Sequence, residues 1–250
     1  MIRVEGLVKK YGSFTAVDGV DIEVAPGEIH GFLGPNGAGK TTSIRIVAGL
    51  LRPTAGRVTI AGHDLEREPE AAKAALGFIP DRPYVYEKLT AGEFLRFHGG
   101  LFGLEGAFLD ERVAAMLALF ELTRWEGELV ESFSHGMKQR LVMSAAFLHR
   151  PRAVAVDEPM VGLDPRGARL IKNVFRRMSA SGVAILMSTH TLEVADEVCH
   201  RLSIINKGRI VANGTVAEVR ALAGGDDDQL TSVFLKLTGG SALQEIDEVV

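Results

Sequence analysis

Along the first third of the chain, short apolar and β-branched runs alternate with glycine turns. Positions 3–8 and 15–24 read as strands, with Asp18-Gly19 as a turn signal. Positions 29–33 form a short apolar strand that runs into Gly34-Pro35-Asn36-Gly37-Ala38-Gly39. Positions 40–50 then place Ile44, Val47 and Ala48 on one face of a helix. Further strands are predicted at 57–61 and 76–79. The middle of the chain has helical spacing instead, at 90–102, 110–122 and 138–149, the last stopped by Pro151. Thr90 and Glu93 stand three apart, the spacing of a capping box. Strands return at 153–156, 183–188 and 202–206, separated by helices at 166–180 and 192–200. Strands alternating with helices predict a mainly parallel sheet with helices on its faces. The helical block reads as an insertion into that sheet. The stretch 224–228 (GGDDD) is a polar break before a short amphipathic tail.

Composition narrows the class. The chain has 250 residues, room for one or two domains at about 150 residues each. With 46% hydrophobic and 24% charged residues it is a globular sequence, neither collagen, coiled coil nor disordered chain. Lys+Arg 28 against Asp+Glu 32 gives a net charge of −4, so no nucleic-acid partner is expected. A single cysteine, Cys199, forms no internal disulfide, suits a reducing compartment and reads as core packing, as does Trp125. No apolar run reaches the roughly 18–20 residues that span a bilayer. No apolar segment follows the basic N-terminal residues, so no signal peptide is expected. Service to a membrane would have to pass through a partner.

The chemistry starts at residues 34–41, which match G-x-x-x-x-G-K-[ST] in full. Glycines let the loop turn so that successive backbone N–H groups face one anion, and the helix that follows aims its positive end there. Lys40 adds a point charge for the β- and γ-phosphates, and the Thr41 hydroxyl is a ligand for Mg²⁺. Downstream, the strand at 153–156 delivers Asp157, the second metal-side group and a carboxylate. Glu158, one residue on, is placed to orient or deprotonate a water at the γ-phosphate.

Further segments in fixed order resemble the ATP-binding cassette (ABC) ATPases over residues 1 to about 220. Tyr11 stands where the family's aromatic stacks on adenine. Phe133-Ser134-His135-Gly136-Met137-Lys138-Gln139-Arg140 stands at the family's LSGGQ signature, with a helix read to begin near Met137. His135 replaces a glycine and Met137 the glutamine. Gly162-Leu163-Asp164-Pro165 resembles the D-loop, and Ser188-Thr189-His190 the segment carrying the switch histidine. Phe78-Ile79-Pro80-Asp81-Arg82-Pro83 stands at the Q-loop, with Asp81 where the family has glutamine. The other histidines match no ligand spacing.

The resemblance implies a P-loop NTPase core of mainly parallel sheet with flanking helices, an N-terminal antiparallel β portion, and a helical subdomain inserted at about 83–150. A cassette over 1–220 would be followed by a C-terminal tail at 221–250. It also implies ATP and Mg²⁺ as cofactors. Nucleotide contacts fall on Tyr11, on 34–42 (Gly34, Pro35, Asn36, Gly37, Ala38, Gly39, Lys40, Thr41, Thr42), and on Ser134, Gly136 and Asp164. Glu158, His190 and Lys40 take catalytic roles; Thr41, Asp157 and Asp81 face the metal. Two cassettes would pair head to tail, each ATP lying between one phosphate loop and the other's Ser134–Gly136 segment. Separate permease subunits would hold the pair on the cytoplasmic face of the cell membrane. The tail Leu230–Thr238 and positions 86–95 (YEKLTAGEFL) resemble the ABC-2-type exporter branch. A soluble ABC ATPase acting on ribosomes or DNA, and a small-molecule kinase, are the competing classes.

Overall fold

The computed structural model describes residues 1–222 and 230–239; the polar stretch 224–228 lies outside them. The chain opens with strands β1 (Ile2–Tyr11) and β2 (Phe14–Val24), a hairpin closed at Gly12-Ser13 with Tyr11 opposite Phe14. Then come β3 (Ile29–Leu33), helix α1 (Lys40–Val47), β4 (Ala55–Ile60), β5 (His63–Asp64), α2 (Pro69–Ala74) and β6 (Leu76–Ile79). Between β6 and the next strand lie α3 (Ala91–Leu101), α4 (Gly106–Leu119), two 3₁₀ turns at Thr123–Trp125 and Val130–Ser132, and α5 (His135–Phe147). The chain returns to the sheet with β7 (Ala153–Asp157), α6 (Pro165–Ala180), β8 (Ala184–Thr189), α7 (Leu192–Val198), β9 (Arg201–Asn206), β10 (Arg209–Thr215), α8 (Val216–Ala221) and α9 (Leu230–Thr238).

Two sheets result. One is antiparallel, in the order β2-β1-β4-β5. The other runs β10-β9-β3-β8-β7-β6, parallel except for the β9–β10 pair. Every residue of β3, β7 and β8 is buried, as a parallel sheet covered on both faces requires. Alternation along these strands decides which layer each side chain joins. Phe32, Ala153, Ala155, Ala184 and Leu186 pack with α1 and the antiparallel sheet. Leu33, Val154, Val156, Ile185 and Met187 pack with the helices on the other face. Helix α9 joins that second core through Leu230 and Val233, and the Asn206 amide donates to the Leu237 carbonyl at 3.3 Å.

Several expectations are corrected. Asp18-Gly19 is not a turn: Leu7 pairs with Val20 and Val8 with Asp18, so Gly19, at φ +68°, is the extra residue of a β-bulge. The strand continues through it because Val17, Val20, Ile22 and Val24 are all core residues. Helix α5 begins at His135, because the Ser134 hydroxyl caps it by accepting from the Met137 N–H. Trp125 packs against the core beside Phe133 but is only half-buried, on a 3₁₀ turn, with the Arg124 guanidinium 5.1 Å over its ring. Strand β10 was invisible because only Ala212 and Gly214 of its seven residues are buried, and small residues carry little strand signal. Cys199 is a core residue, and burial pushes its thiol up to about 12.

The capping box at α3 is complete. The Thr90 hydroxyl accepts from the Glu93 N–H at 3.2 Å, and the Glu93 carboxylate accepts from the Thr90 N–H at 2.8 Å. Thr90→Ala should cost about 1 kcal/mol and lower the thermal midpoint by about 2–4 °C, read by calorimetry.

Candidate functional site

The phosphate loop leaves β3 at Gly34 and enters α1 at Gly39. Both glycines are sterically required: a Cβ on Gly34 would stand 2.4 Å from the Ile205 carbonyl oxygen, and one on Gly39, at φ +111°, 2.6 Å from that of Ala16. The loop is held from outside by the turn between β9 and β10. The Gly208 N–H donates to the Ala38 carbonyl at 2.9 Å, while the Gly208 carbonyl accepts from the Asp18 N–H at 2.8 Å. The N–H groups of the first turn of α1 are thereby fixed in direction.

Lys40 points back across the loop. Its ammonium donates to the carbonyls of Gly34 at 2.7 Å and Pro35 at 3.2 Å. It lies 3.9 Å from a Glu158 carboxylate oxygen. Burial lowers its proton affinity, and the charges of Glu158 and Asp157 oppose that shift.

The parallel register of β7 on β8 sets Asp157 beside Ser188. Asp157 is buried at the carboxyl end of β7, and the Ser188 hydroxyl donates to it. Burial raises the Asp157 pKa; the Ser188 and Thr41 hydroxyls pull it down, while Asp81 and Glu158 add to the rise by charge repulsion. Thr41 and Asp157 therefore present hydroxyl and carboxylate oxygens together, a hard donor set that suits Mg²⁺. Among the described residues no group of three or more His, Cys, Asp or Glu side chains is arranged to hold a metal ion alone. A threonine–aspartate pair fits an ion that keeps most of its shell for phosphate oxygens and water.

Glu158 follows at φ +49°, a left-handed conformation costing a non-glycine residue about 1–3 kcal/mol. Its N–H donates to the Ser188 carbonyl at 3.2 Å and hydroxyl at 3.1 Å, which pins the kinked backbone. His190 Nδ1 lies 2.8 Å from the carboxylate, and the His190 N–H donates to the same oxygen at 3.4 Å. The kink thus turns Glu158 away from Asp157 and toward His190 and Lys40.

The structure therefore assembles Lys40, Thr41, Asp157, Glu158 and His190 within one cluster. Asp81 joins through its field on Asp157, and its carboxylate lies 3.9 Å from the Arg45 guanidinium. Sequence reasoning missed Ser188 and Arg45. The serine at the end of an apolar strand was a visible signal for the first; nothing local marked the second. Four further expected site residues stand outside this cluster. Tyr11 is half-exposed at the hairpin tip, with Lys9 Nζ 5.1 Å over its ring. Ser134 caps α5, and Gly136 packs against Leu163. The Asp164 carboxylate caps α6, accepting from the Gly167 N–H at 2.6 Å. Among the described residues no hydrogen bond or ion pair links these four to residues 34–42.

Comparison with known proteins follows the same lines. Residues 17–161 match the family model described as ABC transporter. The daunorubicin resistance ATP-binding protein DrrA3 of Streptomyces coeruleorubidus is 39% identical over 225 residues, covering 90% of this chain and 71% of that protein. The linearmycin resistance ATP-binding protein LnrL of Bacillus subtilis (strain 168) is 35% identical over 226 residues, covering 90% and 73%. A solved ATP-binding subunit of an ABC transporter superposes with a TM-score of 0.88 at 33% identity, over 95% of this chain and 99% of that one.

Proposed function

The chain belongs to the ABC transporter family, and from that premise we propose that it binds and hydrolyses ATP to power an exporter-type membrane transporter. The observation that carries the reading is the convergence of Lys40, Thr41, Asp157, Glu158 and His190 at the carboxyl ends of β3, β7 and β8. An anhydride-cleaving site needs phosphate charge, metal ligands and a group that orients or deprotonates water, and these residues supply them.

The loop N–H groups and Lys40 hold the triphosphate, Lys40 exchanging its bonds to the Gly34 and Pro35 carbonyls for phosphate oxygens. Thr41 and Asp157 would hold Mg²⁺, which when bound offsets charge on the β- and γ-phosphates. Asp81 adds a carboxylate on the same side. Glu158, aimed by its kink and by His190, orients a water and takes its proton. His190 touches the base directly and is placed to register the γ-phosphate. Tyr11 stacks on the adenine.

Ser134, Gly136 and Asp164 lie apart from the chain's own phosphate loop, so they serve a second copy's nucleotide. Two cassettes pair head to tail around two ATP molecules, and hydrolysis loosens the pair. Separate permease subunits carry the cargo, a reading supported by the relatives' names as ATP-binding proteins. Among the described residues no helix is long and apolar enough to cross a membrane. Exposed Tyr84, Tyr86 and Phe97, beside Asp81 and on α3, form the surface that grips them on the cytoplasmic face. The drug-resistance role in the relatives' names supports export.

The test is a pull-down from detergent-solubilised native membranes with the tagged chain, paired with phosphate release from ATP without any acceptor. A hydrophobic multi-span protein should co-purify, and ATP should be cleaved. Retention on ribosomes or DNA with no membrane partner contradicts the transporter role; ADP formed only when an acceptor is present, with the phosphoryl group on the acceptor and no free phosphate, contradicts the ATPase.

A further inference from the structure

Gln139 on α5 is 1% exposed, and neither its amide nitrogen nor its amide oxygen has a hydrogen-bond partner. Buried side-chain amides are nearly always paired, because desolvating a donor and an acceptor without return is costly. Helical spacing shows what this amide faces. His135 lies four residues before it and Gly136 three, on the same face. Both touch the loop after β7. A Cβ on Gly162, at φ +76°, would stand 2.4 Å from His135 Cδ2, and one on Gly136 3.5 Å from Leu163 Cδ2. Two turns further along that face, the Ala146 carbonyl oxygen would lie 2.7 Å from a Cβ on Gly77 of β6. Gln139 is thus the next buried residue, one helical turn on, along the face whose His135 and Gly136 meet Gly162 and Leu163. That loop is bracketed by two left-handed residues, Glu158 and Gly162. It also carries unused donors: among the described residues the N–H groups of Met160 and Gly162 make no hydrogen bond.

We propose that Gln139 is a positioning residue for hydrolysis: its amide bonds the backbone of 159–163 when ATP draws two cassettes together, fixing the loop between Glu158 and Asp164. In the conformation seen here the amide is held without partners, which biases the loop toward the paired arrangement. The inference rests on the paired-cassette reading above.

The test uses Gln139→Leu and, should that variant not fold, Gln139→Met, both close in volume to glutamine. Each is made alone and in a Glu158→Gln background, with ATP binding by calorimetry as the check on folding. Without nucleotide, replacing an unpaired buried amide by an apolar group should leave the melting midpoint unchanged or raise it by about 2–4 °C. ATP-driven pairing of the Glu158→Gln chain, measured by sedimentation over a protein dilution series, should weaken roughly tenfold, the worth of one or two hydrogen bonds. Undiminished pairing overturns the proposal, and so does a lowered melting midpoint, since that outcome means the amide already had a partner. A Glu158→Gln parent that binds ATP yet stays monomeric instead refutes the paired-cassette reading, and the role of Gln139 falls with it.

Discussion

Glu158→Gln is expected to bind ATP as the wild type does and to hydrolyse it about 10²–10⁴-fold more slowly, the usual worth of a general base. The substitution leaves the backbone intact, because the kink at φ +49° is held by the Glu158 N–H on Ser188 and not by the carboxylate. The amide oxygen still accepts from the His190 N–H, so the side chain keeps its direction. What disappears is the proton acceptor. With ATP bound and uncleaved, the two-cassette form should accumulate and appear by sedimentation at twice the monomer mass. Phosphate release at saturating ATP is the deciding measurement. A rate close to wild type removes Glu158 from the base role and returns the question to its neighbours.

Lys40→Ala is expected to weaken ATP binding about 10–100-fold, since hydrogen bonds to a charged group are each worth about 1.5–3 kcal/mol. The geometry makes the loss specific. Lys40 is 7% exposed, its ammonium spans the loop between Gly34 and Pro35, and it is the one lysine or arginine within 4 Å of the Glu158 carboxylate among the described residues. Removing it takes away the charge that answers the phosphates and leaves Asp157 and Glu158 repelling them. Titration calorimetry with ATP and Mg²⁺ measures the effect, with the melting midpoint recorded alongside. An unchanged affinity would show that the backbone amides alone carry the triphosphate.

Some of the site was legible because its parts are contiguous. Residues 34–41 read as a phosphate loop from spacing alone, and the structure delivers them from β3 into α1. Asp157 and Glu158 were legible for the same reason, as the end of an apolar strand. Their division of labour was not. The left-handed backbone at Glu158 separates two adjacent carboxylates, one beside Thr41 and Ser188, the other beside Lys40 and His190. Residue order contains no sign of that kink. Helix limits slipped for a related reason: Ser134 was noted as a motif residue, yet its action as a cap moved the start of α5 to His135. At Asp18-Gly19, local chemistry fits a turn or a bulge equally well, and burial of the flanking valines decides between them.

By itself the amino-acid order determined the alternation of strands and helices, the phosphate loop, the Asp-Glu pair and the membership of His190 in a motif. Each depends on neighbours within a few residues. Only the tertiary structure decided that Ser188 meets Asp157 across 31 positions, that Arg45 faces Asp81, and that Gln139 lies sealed without a partner. Those facts follow from sheet order and from helix rotation against the sheet. Both are settled by the burial of whole faces at once, a collective quantity that no short stretch of residues encodes.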